Sequence, residues 1–275
     1  MGTSSSFGGP KGKSPLLPPW APNGDSPDSN NNDNDPEKGD APKKENNEND
    51  LSKNYSGAKR ALSRYINNAT GITVKHAARS YVRSLGGAKK ASRSSSGGKR
   101  AIANLGGVLG SIASRGLEQT LTNLGLQDLI GKSAEIVFAG IVDAIAPVGT
   151  TNEEADARQA IIDALDKLYD KFKLDDNNIN KLDSLSESDI KEAILDGIKA
   201  YIYERWLQEL SLCIEKNSMT PRDAIKKEAD IKEYISSSVE YDFVDVDVLN
   251  IDFSQGSGKE TIENIFQEAY QTLES

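Results

Sequence analysis

Residues 186–210, SESDIKEAILDGIKAYIYERWLQEL, contain the clearest helical pattern in this chain of 275 residues. Large apolar side chains recur there at every fourth position, which is the spacing of neighbours on one face of an α-helix. The set is Ile190, Ile194, Ile198, Ile202, Trp206 and Leu210. Ser186, followed by Asp189, indicates where the helix starts. We therefore predict one long helix within a mainly α-helical fold.

Further helices are predicted on both sides of this stretch. Thr151 and Glu154 have the spacing of a capping box and precede an apolar stripe at helical spacing. Thr220-Pro221 supplies a cap and a first-turn proline for another helix. A last helix carries apolar side chains between residues 262 and 273. Residues 241–253, YDFVDVDVLNIDF, alternate apolar and acidic side chains and are the one predicted strand.

The region before residue 117 shows the same periodicity with basic side chains added. One predicted helix begins near Gly57, and a second spans Thr73 to Leu85. On the second helix Lys75, Arg79 and Arg83 lie opposite the apolar face. Residues 86–98, GGAKKASRSSSGG, are predicted to form a flexible basic loop.

Charge divides the chain into three segments. Residues 1–50 have a net charge of -4, residues 51–117 have +13 with no acidic side chain, and residues 118–275 have -18. With the helical pattern, this predicts a disordered tail (1–56), a basic helical segment (57–117) and an acidic helical domain (118–275). The predicted fold is thus a disordered N-terminal tail followed by a multi-helix, bundle-like domain.

The predicted tail contains eight of the ten prolines and a long run rich in Asn, Asp, Glu and Lys. Such a composition does not bury enough apolar surface to offset the entropy of ordering. Residues 2–21 differ, because they include Phe7, Leu16, Leu17 and Trp20 beside Gly8-Gly9-Pro10. We interpret them as a short recognition segment that binds a partner.

Composition argues against several classes of function. The chain has one cysteine, Cys213, and one histidine, His76, whereas a structural zinc site usually needs four such ligands. No metal site is therefore expected, and no resident cofactor. A catalytic cysteine needs a nearby base, and a lone histidine makes this arrangement improbable. We expect a chain that is not an enzyme, has no membrane span and resides in the cytoplasm.

Three glycine-rich stretches invite comparison with nucleotide-binding motifs and depart from them. FGGPKGKS has Phe7 where a P-loop needs Gly, and in GSGKET Lys259 is followed by Glu260 instead of Ser or Thr. Residues 106–110, GGVLG, follow no buried strand, so they lack the context of a dinucleotide loop. None of the three is predicted to bind phosphate.

The basic segment is the second candidate site. Its candidate side chains for docking a partner or nucleic acid are Lys75, Arg79, Arg83, Lys89, Lys90, Arg93, Lys99 and Arg100. Nucleic acid is possible but not favoured, because base-stacking aromatic side chains are few. The segment could equally contact an acidic partner protein, or pack against the acidic helices of its own chain as a purely structural scaffold.

The N-terminus offers a reactive group. Removal of Met1 would leave the unhindered α-amine of Gly2, of which about a tenth is uncharged at pH 7. Met1 to Ser6 also fits the loose pattern for N-myristoylation. An unmodified, disordered N-terminus is the simplest alternative.

Three stretches of the chain resemble the QatB family, a component of the bacterial Qat anti-phage defence system. They are GTSSSFGGPKGKSPLLPPWA (2–21), GGAKKASRSSSGGKRAIANLGGVLGSIASRG from Gly86, and LGLQDLIGKSAEIVFAGIVDAIAPVGTTNEEADARQAI from Leu124. The likeness covers about residues 2–21 and 86–162 and weakens beyond. One departure is Ala146, where the family pattern has a cysteine, so any role of that cysteine is absent.

The resemblance implies partners and a modification. The partners would be an ATPase, a QueC-like enzyme (QatC) and a TatD-like nuclease. QueC-like enzymes adenylate 7-carboxy-7-deazaguanine, and related defence enzymes join the acyl group to an N-terminal glycine. The resemblance thus implies that Gly2 accepts a covalent 7-deazaguanine. The expected QatC-binding residues are Thr3, Ser4, Ser5, Phe7, Gly8, Gly9, Pro10, Leu16, Leu17 and Trp20. For a bacterial chain, this makes myristoylation the weaker alternative.

Overall fold

The computed structural model describes residues 55–174, 178–218, 220–239, 252–253 and 256–275. Within these ranges it contains ten α-helices and two short 3₁₀ helices, so the predicted mainly α fold is confirmed. The α-helices are α1 (Ser56–Ile66), α2 (Val74–Ser84), α3 (Ala88–Arg93), α4 (Ser96–Arg115), α5 (Leu117–Asn123), α6 (Ala134–Ile145), α7 (Asn152–Phe172), α8 (Glu187–Asn217), α9 (Pro221–Ser238) and α10 (Gly256–Glu274). The 3₁₀ helices are Gln127–Leu129 and Ile179–Ser184. All described residues belong to one unit, 46–275.

Helix α8 is the central element of this unit. It is 31 residues long and packs against α1, α4, α7 and α9. Its apolar side chains recur every four residues, and each such step rotates the stripe by about 40° around the helix axis. The buried face therefore changes direction between Ile190 and Leu210, and successive parts of α8 contact different neighbours. Trp206, near the middle, is 1% exposed.

Three helix starts agree with the sequence pattern. Thr151 with Glu154, and Ser186 with Asp189, form capping boxes at the first turns of α7 and α8. The Thr220 hydroxyl accepts a hydrogen bond from the Asp223 amide, and a proline occupies the first turn of α9. Among the described residues, no helix has the length and apolar character needed to cross a membrane.

Glycines allow α4 to approach α8 closely. A Cβ at Gly197 of α8 would lie 2.4 Å from the Ile102 side chain of α4. A Cβ at Gly106 would lie 3.1 Å from the side chains of Ile194 and Phe253. The stretch 106–110 lies inside α4, and a side chain at Gly106 would require Ile194 or Phe253 to shift slightly.

The first three helices pack as a group on α8 and α10. The ring of Tyr55 stacks on Tyr81 at 6.3 Å, and Tyr81 meets Trp206 edge to face at 6.3 Å. Tyr55 is buried and α1 begins at Ser56, so the predicted tail, which ends at residue 56, overlaps the described part of the chain by two residues. The rest of the predicted tail, residues 1–54, lies outside the described residues.

Of two other predictions on local structure, one is wrong and the other lies almost wholly outside the described residues. The predicted loop 86–98 is wrong, because it contains α3 and the first turn of α4. Contacts with distant carboxylates stabilise these starts, and local sequence cannot reveal such contacts. The predicted strand 241–253 lies outside the described residues except for Asp252 and Phe253, and Phe253 is a buried turn residue.

Candidate docking surface

The predicted recognition segment cannot be placed in the structure. Gly2, the expected modification site, and every expected QatC-binding residue between Thr3 and Trp20 lie outside the described residues. The described part of the chain begins at Tyr55, directly before α1. The candidate surface that can be examined is therefore the set of basic side chains on α1 to α4.

Helix α2 presents its cations away from the core. Its buried side is formed by Ala77, Ala78, Tyr81 and Val82. Lys75 and Arg83 are exposed on the opposite side, as predicted from the sequence. Arg79, on the same side, is half-buried, and its Nε has no hydrogen-bond partner among the described residues.

Most of the basic side chains before residue 117 form no ion pair with another described residue. Between residues 55 and 117 there are twelve lysines and arginines, and only two form ion pairs with described residues. The six predicted docking cations without an ion pair in the described structure are Lys75, Arg79, Arg83, Lys89, Lys90 and Arg93. We call these six side chains the basic surface.

Lys99 and Arg100 form a separate group. Lys99 Nζ lies 3.3 Å from Glu263, and Arg100 lies 3.7 Å from Glu154. Both line a cleft between α4 and α10, together with Lys259. The structure therefore divides the eight predicted docking side chains into two groups: six on α2 and α3 without an ion pair to a described residue, and two on α4 with one.

Three carboxylates from the acidic part of the chain contact the basic segment at helix ends. The Ala88 amide donates to Glu274 at 2.8 Å at the start of α3. The Gly97 amide donates to Glu153 at 2.7 Å in the first turn of α4, and the Leu117 amide donates to Asp183 at 2.7 Å at the start of α5. A carboxylate at a helix N-terminus satisfies unpaired amides and meets the positive end of the helix dipole.

Arg205 attaches the other end of α3 to α8. Its guanidinium donates to the hydroxyls of Ser94 and Ser95, each at 2.9 Å, and to the Ala91 carbonyl at 3.4 Å. Tyr55 lies close by, and burial raises the pKa of its hydroxyl to about 12, with the Glu209 charge adding to the effect. The short basic helix is thus held at both ends by side chains of distant helices.

The two groups most often used in catalysis have structural roles. His76 Nδ1 lies 3.0 Å from the Thr73 hydroxyl and 3.3 Å from the Thr73 amide, within the capping box of α2. The thiol of Cys213 donates to the Lys59 carbonyl at 3.4 Å, and burial raises its pKa. Within the described ranges, no three His, Cys, Asp or Glu side chains are grouped so that they could hold a metal ion.

Sequence reasoning did not identify the three capping carboxylates or the position of Lys259. The signal for the caps was present: a segment without any acidic residue cannot provide Asp or Glu caps for its own helices. Which distant carboxylates would do so depends on packing. Lys259 was considered only as part of a P-loop-like stretch, and the structure places it beside Lys99 and Arg100 instead.

Comparison with known proteins identifies the family. No curated protein and no solved structure matches the chain. The family described as Qat anti-phage system associated protein QatB matches residues 86–273, from just before α3 to the last turn of α10. This range covers more than half of the chain and leaves out residues 2–21. The chain therefore belongs to the QatB family and is a component of the Qat anti-phage defence system.

Proposed function

We propose that this chain is a non-catalytic adaptor of the Qat system in the bacterial cytoplasm. Its basic surface docks on an acidic patch of a partner, and its N-terminal segment, residues 2–21, enters the active site of the QueC-like enzyme QatC. The observation that carries the proposal is the set of unpaired cations on α2 and α3. The ATPase and the TatD-like nuclease of the system are the other proposed partners.

The proposal includes a covalent modification of Gly2. After removal of Met1, the uncharged amine attacks the carbonyl carbon of an acyl-adenylate of 7-carboxy-7-deazaguanine. A carbon–nitrogen bond forms, the bond from that carbon to the phosphate oxygen breaks, AMP leaves, and the amine loses a proton. Glycine suits this step, because it has no side chain to obstruct the approach.

A role without catalysis agrees with the positions of His76 and Cys213. His76 is the only histidine of the chain, and it takes part in the capping box of α2. Cys213 is on α8, and its raised pKa disfavours the thiolate that a nucleophile requires. Among the described residues, neither side chain has a partner placed to activate it for catalysis.

Intact-protein mass spectrometry after co-expression with QatC tests the modification. We expect the chain without Met1 to carry the mass of the deazaguanine acyl group. Gly2→Pro, which lacks a primary amine, should remain unmodified, while Thr3→Ala should be modified like the wild type. An unmodified wild-type chain, recovered while QatC consumes ATP, would contradict conjugation.

Deletion of residues 2–20 tests the tail as an anchor. We expect the shortened chain to fold, because the described unit begins at Tyr55, and to lose co-purification with QatC.

The double variant Lys75→Glu with Arg83→Glu tests docking through the basic surface. Both side chains are exposed, so they are better targets than the half-buried Arg79. Unchanged co-purification of both variants would refute the adaptor role.

The second candidate function is nucleic-acid binding through residues 51–117. It is favoured by the same observation, since unpaired cations attract phosphate groups as well as carboxylates. It predicts binding of DNA or RNA that weakens steeply with salt and is lost in the Lys75→Glu, Arg83→Glu variant. If this variant binds nucleic acid like the wild type, the second candidate is wrong.

A further inference from the structure

A partly enclosed cleft lies between α4 and α10. Its volume is about 510 Å³, and Phe253 and Ile262 form part of an apolar floor. Lys99, Arg100 and Lys259 approach it from the two helices. Pockets for small organic ligands have volumes of roughly 300–1,000 Å³ and combine apolar walls with a few polar groups. The cleft has both properties.

The charges in the cleft favour an anion. Three cations line it, and Glu263 is the one carboxylate among the lining residues, so the formal charge is +2. Lys259 forms no ion pair with a described residue, and the carboxylate that pairs with Lys99 is half exposed. That pair can open at little cost, because exposed ion pairs contribute little. Ser96, at the positive end of α4, also lines the cleft.

We propose that this cleft binds a nucleoside monophosphate. The phosphate group, with a charge of about -1.5 to -2 at neutral pH, would be held by Lys99, Arg100 and Lys259. The nucleoside would lie over the apolar floor formed by Phe253 and Ile262. Inorganic phosphate alone would satisfy the cations but leave most of the volume and the floor unused.

This site is independent of the adaptor role. The cleft uses α4, α10 and Phe253, whereas the docking proposal uses α2, α3 and residues 2–21. Each proposal can therefore fail without the other. Both helices of the cleft lie within the range matched by the QatB family.

Isothermal titration calorimetry of the full chain with guanosine 5′-monophosphate tests the proposal. We expect Lys259→Gln to weaken binding about tenfold, the typical effect of losing a charged hydrogen bond. Glu263→Gln should strengthen binding, because it removes the carboxylate that competes for Lys99. Lys226→Gln is the matched control: it removes the same charge from an exposed position on α9, outside both the cleft and the basic surface, and should leave binding unchanged.

Three results would overturn the proposal. One is the absence of binding heat with guanosine monophosphate. Another is an equal loss of affinity in Lys259→Gln and Lys226→Gln, which would indicate general charge attraction. The third is equal affinity for inorganic phosphate, or higher affinity for a phosphoserine peptide, since either shows that the floor does not select a nucleoside.

Discussion

At the scale of single residues, Asp156 is a buried carboxyl group of the described core with one oxygen that has no partner there. It lies in the second turn of α7, is 7% exposed, and its Oδ2 has no hydrogen-bond partner among the described residues. Burial raises the pKa of this carboxyl to about 7, and the nearby charge of Glu204 adds to the effect. Arg205 acts in the opposite direction but does not offset the burial.

Asp156→Asn should change how stability depends on pH. In the wild type, the folded chain holds a proton on Asp156 between pH about 4 and about 7, whereas the unfolded chain has released it. The free energy of unfolding therefore falls as pH rises through this range. The variant should flatten this decrease and be more stable by about 1–3 kcal/mol at pH 8. Urea unfolding at pH 5 and pH 8 measures both effects, and an unchanged pH slope would contradict the prediction.

Gly98 offers a second test at this scale, because its position has no space for a side chain. A Cβ there would lie 2.5 Å from the ring of Tyr201, which is itself fully buried. Gly98→Ala should therefore lower the free energy of unfolding by about 1–3 kcal/mol. Gly107→Ala, on the same helix with no atom within 4 Å, should instead raise it by up to about 1 kcal/mol. Equal effects of the two substitutions would argue against close packing of α4 on α8.

At the scale of elements, the capping carboxylates explain why residues 86–98 are not a loop. Helix α3 has six residues and no acidic side chain in its first turn, so it would not be stable alone. Glu274 accepts a hydrogen bond at one end of it, and Arg205 donates hydrogen bonds at the other. A short helix with poor local signals is thus formed by tertiary contacts.

Glu274→Ala should unfold α3 locally and lower the free energy of unfolding by about 1 kcal/mol, the usual cost of losing a cap. Glu268→Ala is the matched control, because Glu268 is exposed on the same helix and its carboxylate forms no ion pair among the described residues. Hydrogen exchange of the amides in residues 88–93 should become faster in the first variant only. Unchanged exchange in Glu274→Ala would mean that the cap does not hold α3.

At the scale of the whole molecule, the question is what balances the +13 segment. Ion pairs balance little of it, since ten of the twelve cations between residues 55 and 117 form none with described residues. The acidic region also contacts the segment at helix ends, where Glu153, Asp183 and Glu274 accept hydrogen bonds from backbone amides. The proposed interaction surface and a purely structural scaffold are the two interpretations of this arrangement.

Reversal of surface charge distinguishes these two interpretations. On α2, Lys75, Arg79 and Arg83 repel one another at four-residue spacing. Lys75→Glu with Arg83→Glu would place a carboxylate on either side of Arg79, so we expect stability to stay unchanged or rise by up to about 1 kcal/mol. Thermal unfolding measures this. A clear loss of stability would instead support a scaffold in which these cations contact acidic parts of the chain.

The sequence predicted those helices whose caps and apolar spacing are visible within their own residues. The capping boxes of α7 and α8, the four-residue apolar spacing of α8, and the opposite faces of α2 all depend on neighbours within a few positions. It did not predict α3, because the groups that stabilise α3 lie more than a hundred residues away in the chain. For the candidate site, it identified the basic side chains but not which of them are paired.

The sequence by itself determined the helical class, the family and the separation of charge, because these depend on composition and local spacing. Only the tertiary structure decided that the basic side chains of α2 and α3 have no ion-pair partner in the described core. It also decided that Lys99, Arg100 and Lys259 converge on one cleft. The physical reason is that pairing and convergence depend on distances between helices, which are set by how α4, α8 and α10 pack.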